Sequence, residues 1–206
     1  MEIYSTEEQQ AEAIKRFFRE NGVSLALGIV IGLGGLYGWK YYNQSKITSA
    51  EAASNAYNEL VEGGEVLTKS DSFITENGDS NYAALAAFVA AKEAVEKGEF
   101  ETAVTKLTWL QDNVQNPELK ATAILRLARV QAQLTQYDAA LKTLSQTTPE
   151  AFKAQVAEVK GDVYLAKGDK DSARSEYEAA LAESTEGNNS LLQIKLDNLA
   201  TAQPAA

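Results

Sequence analysis

The chain has 206 residues, 45% of them apolar and 23% charged, and its 29 acidic against 19 basic side chains give a formal charge of −10. Without any Cys or His it cannot build a Cys/His zinc site, an iron–sulfur cluster, a disulfide, a thiol nucleophile or a histidine triad. So acidic a chain also lacks the positive footprint that neutralises phosphates, which excludes nucleic acid as a partner, while the absence of Cys permits an oxidising compartment without requiring one.

In chain order, residues 1–20 read as a short cytoplasmic tail. Ser5 with Glu8 resembles a capping box, and Ile14, Phe17 and Phe18 fall at helical spacing, so this stretch is a helix lying on the membrane face, a docking tail for a soluble partner, or a solvated stub. Residues 21–42 read as a transmembrane helix. No residue from Asn21 to Trp39 is charged, and at about 1.5 Å per residue that run spans roughly 28 Å, the thickness of a bilayer's hydrocarbon core. Leu25, Leu27, Ile29, Val30, Ile31, Leu33 and Leu36 point to all sides of the helix, leaving no polar face for water. Phe17 and Phe18 at one edge and Tyr37, Trp39, Tyr41 and Tyr42 at the other make an interfacial aromatic belt. A cleaved signal peptide would carry small residues directly after its apolar core. Here Tyr37-Gly38-Trp39-Lys40 follows, and the nearest small-x-small pattern, Ala50-Glu51-Ala52, is too far downstream, so the segment is read as a retained anchor. Lys15, Arg16 and Arg19 before the span against Lys40 and Lys46 after it favour a cytoplasmic N-terminus. The rest then lies across the membrane, in the periplasm for a Gram-negative source. Gly28 with Gly32, and Gly34 with Gly38, each form GxxxG, a spacing that lets two helix backbones approach closely, the partner being a second copy or another membrane protein.

Residues 43–80 read as a helical linker and N-terminal cap. Lys46 to Glu65 is helical, with Ala53, Tyr57, Leu60 and Val61 on one face, and Asn77-Gly78 marks a break. The region 81–186 reads as three helix pairs. A turn followed by a helix recurs at Gly98-Glu99-Phe100-Glu101-Thr102-Ala103, at Thr135-Gln136-Tyr137-Asp138-Ala139-Ala140 and at Gly168-Asp169-Lys170-Asp171-Ser172-Ala173. Successive alanines Ala103, Ala140 and Ala173 are about one 34-residue helix-turn-helix period apart. Phe152, Val156, Val159 and Val163 step by four, three and four, and Ile124, Leu127 and Leu134 share a face. Pro117 and Pro149 stand where helices begin, Gly98 and Gly168 where they end. Residues 187–206 read as a capping helix with a loose tail: Leu192, Leu196 and Leu199 cover the last repeat while Lys195 and Asp197 meet water.

These repeats resemble the tetratricopeptide repeat. In the last unit Gly161, Tyr164, Ala173, Tyr177 and Ala180 reproduce the family's alternation of small and aromatic positions. Small residues let two antiparallel helices approach, and aromatics fill the groove between successive pairs. The middle unit keeps Leu127, Ala128 and Ala140, with Leu144 where an aromatic is usual, and the first has Ala91, Ala103 and Leu107. Thr135 replaces a turn glycine, Lys160 stands at a usual leucine, and the closing proline is displaced or absent, so the repeats are divergent. The fold class expected is therefore all-α, a single N-terminal transmembrane helix followed by a tetratricopeptide-type solenoid.

Nearly the whole chain is similar to the YfgM family of ancillary SecYEG translocon subunits, on the span, the repeats, Ala83-Ala84-Leu85-Ala86-Ala87, Pro117-Glu118-Leu119-Lys120-Ala121, Leu125-Arg126-Leu127-Ala128-Arg129-Val130 and the closing Leu191-Leu192-Gln193-Ile194-Lys195-Leu196-Asp197-Asn198-Leu199-Ala200. The resemblance implies a single-pass protein of the bacterial inner membrane with a periplasmic repeat domain. It further implies association with SecYEG and the membrane-anchored chaperone PpiD, and help in passing exported polypeptides to periplasmic chaperones. It also suggests a link to envelope stress, in which the N-terminal region binds a cytoplasmic response regulator. The family offers no catalytic motif, so no catalytic, metal-binding or cofactor-binding residue is carried over.

Three function classes then compete: a tethered interaction module, an enzyme, and a cytoplasmic-tail regulator whose periplasmic part senses stress, the last compatible with the first. A tethered interaction module needs no chemistry: helical repeats present an extended concave face, and tethering raises its effective concentration for whatever emerges beside it. It either holds unfolded chains, which needs exposed apolar surface, or scaffolds folded partners; Trp109 and Phe88 are read as core. An enzyme would need a constellation such as Ser70 with Lys69, but no glycine elbow or oxyanion motif accompanies that pair. Glu99 with Glu101 and Asp169 with Asp171 lack the calcium-loop ligand ladder and read as acids at helix starts.

Overall fold

The computed structural model describes residues 7–78, 80–184 and 189–201. The expected Ser5–Glu8 box and the loose tail from Gln203 fall outside the described residues. Every regular element among those residues is helical: α1 (Glu7–Glu62), α2 (Val66–Glu76), α3 (Asn81–Glu96), α4 (Phe100–Asn113), α5 (Pro117–Gln133), α6 (Tyr137–Leu144), a 3₁₀ turn at Glu150–Phe152, α7 (Lys153–Lys167), α8 (Lys170–Glu183) and α9 (Asn189–Thr201). The chain divides into two units, Met1–Ala52 and Ala53–Ala206. The described part of the first is α1 as far as Ala52. That helix has no break at the expected edges of the span or at Lys46; it runs on until Gly63-Gly64, where Gly64 takes φ +66°.

In the second unit the starts and stops are written locally. Ser80 accepts the Tyr82 amide at 3.1 Å to cap α3. Asn116 accepts that of Leu119 at 2.8 Å to cap α5, with Pro117 as its first residue, and Asp169 accepts that of Ser172 at 3.1 Å to cap α8. Each cap satisfies an amide that the helix leaves orphaned. Pro149 precedes the 3₁₀ turn that leads into α7. The three equivalent stops share one geometry. Gly98, Thr135 and Gly168 all have positive φ, at 77°, 59° and 90°. In each, the next amide reaches the carbonyl five residues back: Glu99 to Ala94 at 2.8 Å, Gln136 to Gln131 at 2.8 Å and Asp169 to Tyr164 at 2.9 Å. This is the Schellman closure, which favours glycine at its left-handed position; Thr135 adopts it without that freedom.

Four clusters form the core. The end of α1 supplies Leu60, with Ala56 and Tyr57 partly buried, against Val66 and Phe73 of α2 and Ala86 and Ala90 of α3. The Tyr57 ring lies 6.3 Å from Phe73 and 5.6 Å from Tyr82. Val61, expected on that face, is 41% exposed. Ala83, Ala87, Ala91 and Ala94 on the remaining sides of α3 meet Ala103, Leu107 and Leu110 of α4 and Ala123, Leu127 and Val130 of α5. The buried alanines of α3 let its neighbours approach closely on two sides. The next cluster uses Ile124, Leu125 and Ala128 of the same α5 with Ala140, Leu144, Val159 and Val163. The last joins Ala157, Ala173, Tyr177 and Ala180 to Leu192 and Leu199 of α9. Phe88 is buried and Trp109 partly so. Lys106, only 3% exposed, sends its ammonium to Asp71 on α2 at 2.5 Å.

Candidate functional site

Helix α1 contains a window long and apolar enough to cross a bilayer, and none of it is buried by the rest of the chain. Leu27, Ile29, Val30, Ile31, Leu33 and Leu36 are all exposed. Side chains of this size cost about 1.5–3 kcal/mol each to leave in water, so the helix favours an apolar surrounding that the described residues do not supply. At its ends Phe17 packs edge-on against Phe18 at 5.9 Å, Trp39 lies 6.4 Å from Tyr42, and the Lys46 ammonium stands 5.5 Å above the Tyr42 ring. Gly28, Gly32, Gly34 and Gly38 are open: beyond the helix's own neighbouring backbone, no described atom lies within 4 Å of where a Cβ would stand. Gly28 and Gly32 share one face and Gly34 and Gly38 another. The two faces lie about 120° apart around the axis, because six residues turn a helix by about 600°.

Of the repeat positions, Ala91 and Ala103 lie in one cluster, Ala128 and Ala140 in the next, and Ala173, Tyr177 and Ala180 in the last, all buried, with Tyr164 partly buried beside them. Gly161 lies directly under the Tyr177 ring. The first helices of the three pairs, α3, α5 and α7, also carry outward side chains. On α3 these are Leu85, Lys92 and Val95, with Leu85 41% and Val95 38% exposed. On α5 they are Arg126 and Arg129, the Arg126 guanidinium lying 4.9 Å above the Phe88 ring.

On α7 the outward acids are taken up by the capping helix. Lys195 donates to Asp162 Oδ1 at 2.6 Å and to Glu158 Oε1 at 2.8 Å, and Tyr177 Oη donates to the same Asp162 oxygen at 2.8 Å. The lysine ammonium stands 5.4 Å over the Tyr177 ring. Lys195, expected to meet water, is instead the polar anchor of α9. Burial drives the Tyr177 pKa upward, and the hydrogen bond to Asp162 adds to it. Burial alone would pull Lys195 down, but its bonds to Asp162 and Glu158 and their negative charges prevail and raise it.

The Ser70–Lys69 pair is not assembled as a nucleophile and base. Ser70 is wholly buried with its hydroxyl unpartnered, while Lys69 is exposed and pairs with Glu65. Among the described residues no group of three or more acids could hold a metal ion. Glu99 and Asp169 occupy N-cap positions and Glu101 and Asp171 first turns; hydrogen bonds from the Ser172 hydroxyl and amide lower the Asp169 pKa. Between the end of α1 and α2 lies an open groove of about 390 Å³, floored by Leu60 and Phe73 and rimmed by Glu59, Glu65, Glu76 and Lys69.

A model of the tetratricopeptide repeat-like domain matches residues 15–201. The chain is 43% identical over 205 residues to the ancillary SecYEG translocon subunit of Escherichia coli (strain K12), covering 97% of this chain and 99% of that protein. The protein of the same name from Haemophilus influenzae is 34% identical over 198 residues, covering 94% and 97%. That from Neisseria gonorrhoeae is 30% identical over 209 residues, covering 97% and 100%.

Proposed function

Because the chain belongs to the YfgM family of ancillary SecYEG translocon subunits, with a tetratricopeptide repeat-like domain, we propose that it is a membrane-anchored protein-interaction module working beside the export channel. Residues 21–42 cross the inner membrane, residues 1–20 stay in the cytoplasm, and the helix pairs of 81–186, between the linker of 43–80 and the cap of 187–206, face the periplasm. There the chain associates with SecYEG and PpiD and assists the transfer of exported polypeptides to periplasmic chaperones.

The observation that carries this reading is an apolar helix exposed along its whole spanning window in the same chain as a folded helical array. The repeats need no membrane to bury their core, so the helix serves to confine them. Confinement raises their effective concentration near any chain emerging from the channel.

The test uses the absence of native cysteine. In intact spheroplasts a membrane-impermeant maleimide is expected to label Ser49→Cys and to spare Gln10→Cys until the membrane is opened. A photo-crosslinker at Ile31 is expected to yield adducts with channel subunits. Labelling of both positions from outside, or adducts with none of the channel subunits, would overturn the proposal.

A further inference from the structure

Arg126 and Arg129 stand one turn apart on the outward face of α5, and neither meets a carboxylate among the described residues, although the chain carries ten more acids than bases. Lys97, Lys106, Lys153, Lys167 and Lys195 each have an acid within 2.8 Å. Lys120, Lys142, Lys160 and Arg174 share, among the described residues, the unpaired state of the two arginines. Arg126 and Arg129 are set apart by standing one turn from each other beside exposed aliphatic side chains. One of the two guanidiniums is held: Arg126 lies over the Phe88 ring at 4.9 Å, a stacking that leaves its donors free to point outward. Beside them, α3 presents Leu85 and Val95, both exposed, on the same helix face as Phe88, with Lys92 between them sharing its charge with Glu96 at 3.4 Å. One surface thus offers two forked, uncompensated cations and two aliphatic side chains about ten residues apart along a helix.

We propose that this α3–α5 face docks an extended acidic segment of a partner protein, with Asp or Glu carboxylates on Arg126 and Arg129 and aliphatic side chains against Leu85 and Val95. The inference rests on the interaction-module reading and names the chemistry of the partner. Charge complementarity selects the occupant. A guanidinium fork matches a carboxylate through two parallel hydrogen bonds, and a basic segment would meet repulsion here. The acids of α7 do not compete for the arginines, because Lys195 already engages Glu158 and Asp162.

The test uses the full chain in detergent micelles and a fluorescent octapeptide of alternating acidic and leucine residues, read by anisotropy. Binding is expected to weaken about tenfold or more in the double variant Arg126→Gln/Arg129→Gln, to weaken with added salt, and to survive Lys142→Glu. A lysine-for-acid version of the peptide is expected not to bind. Should the charge-neutral variant unfold, Leu85→Ser read by the same titration must weaken binding instead. Equal binding by the arginine variant, equal binding of the basic peptide, or arginine-dependent binding to phosphatidylglycerol vesicles in place of the peptide would each overturn the proposal. So would arginine-dependent self-association that excludes the peptide. The Ile31 crosslink to channel subunits, measured on the same variants, separates the two readings: its persistence with peptide binding lost localises the docking face, and its absence in the unaltered chain sinks the module reading whatever the peptide does.

Discussion

The ring of Tyr177 occupies the space in which residue 161 would carry a side chain: a Cβ on Gly161 would stand 2.4 Å from Cε1 and 2.5 Å from Cδ1. The ring cannot swing away cheaply, because it is wholly buried and its hydroxyl is tied to Asp162 at 2.8 Å. Gly161→Ala is therefore expected to destabilise the repeats by about 1–3 kcal/mol through overpacking, even though alanine is the better helix former by about 1 kcal/mol. Urea unfolding at neutral pH checks it, and a raised midpoint would show that α7 and α8 can part without cost.

Thr135 is the one described residue other than glycine with positive φ, in a closure that its counterparts Gly98 and Gly168 make freely. Thr135→Gly relieves a left-handed conformation worth about 1–2 kcal/mol and returns about 0.4–1 kcal/mol of that through the looser unfolded chain. A net gain of about 0.5–1 kcal/mol follows, seen as a melting temperature a few degrees higher. Gly168→Ala is expected to move it the other way. Equal shifts in one direction would dissociate the turn geometry from stability.

The polar anchor of α9 sets a pH response. Tyr177 and Lys195 both have folded pKa values above their unfolded ones, so the folded state holds protons that the unfolded chain releases near pH 10. Their contributions are complete below that point and are lost as pH rises beyond it. Stability is expected to fall above about pH 10, less steeply in Tyr177→Phe than in the unaltered chain. Hydrogen exchange along α9 should accelerate over the same range, and an unchanged slope in the phenylalanine variant would disconnect the phenol from it.

In the membrane helix the two glycine pairs face directions about 120° apart, so one partner helix can lie against Gly28 and Gly32 or against Gly34 and Gly38, but not both. Co-purification with the channel from gently solubilised membranes is expected to drop for Gly28→Leu/Gly32→Leu and to persist for Gly34→Leu/Gly38→Leu. Loss in both or in neither would leave the first pair without a particular role.

The helix pairs are legible in the sequence because their spacing encodes contact: Gly161 and Tyr177 meet, and the turn glycines mark positions that only a left-handed backbone satisfies. The apolar window is legible because no charged side chain interrupts it. Side chains whose surroundings come from far along the chain are not. Lys195 looks like a solvated residue of a capping helix until Asp162, 33 positions earlier, and Glu158, 37 earlier, come beneath it. Lys106 is buried because Asp71, 35 positions away, receives it. Arg126 finds Phe88 through the packing of α5 on α3, which no local period reports. Val61 fails for a related reason: α1 turns only one face to α2 and α3, and the three-four step that selects Ala53, Tyr57 and Leu60 leaves residue 61 beyond its edge.

Helix α5 belongs to two cores at once, giving Ala123, Leu127 and Val130 to one neighbour and Ile124, Leu125 and Ala128 to the other. An array linked through such a shared wall has no weak seam at its middle. Loosening either half strips packing from the same helix, so the folded unit melts as a single cooperative block, with its frayed states confined to the two ends.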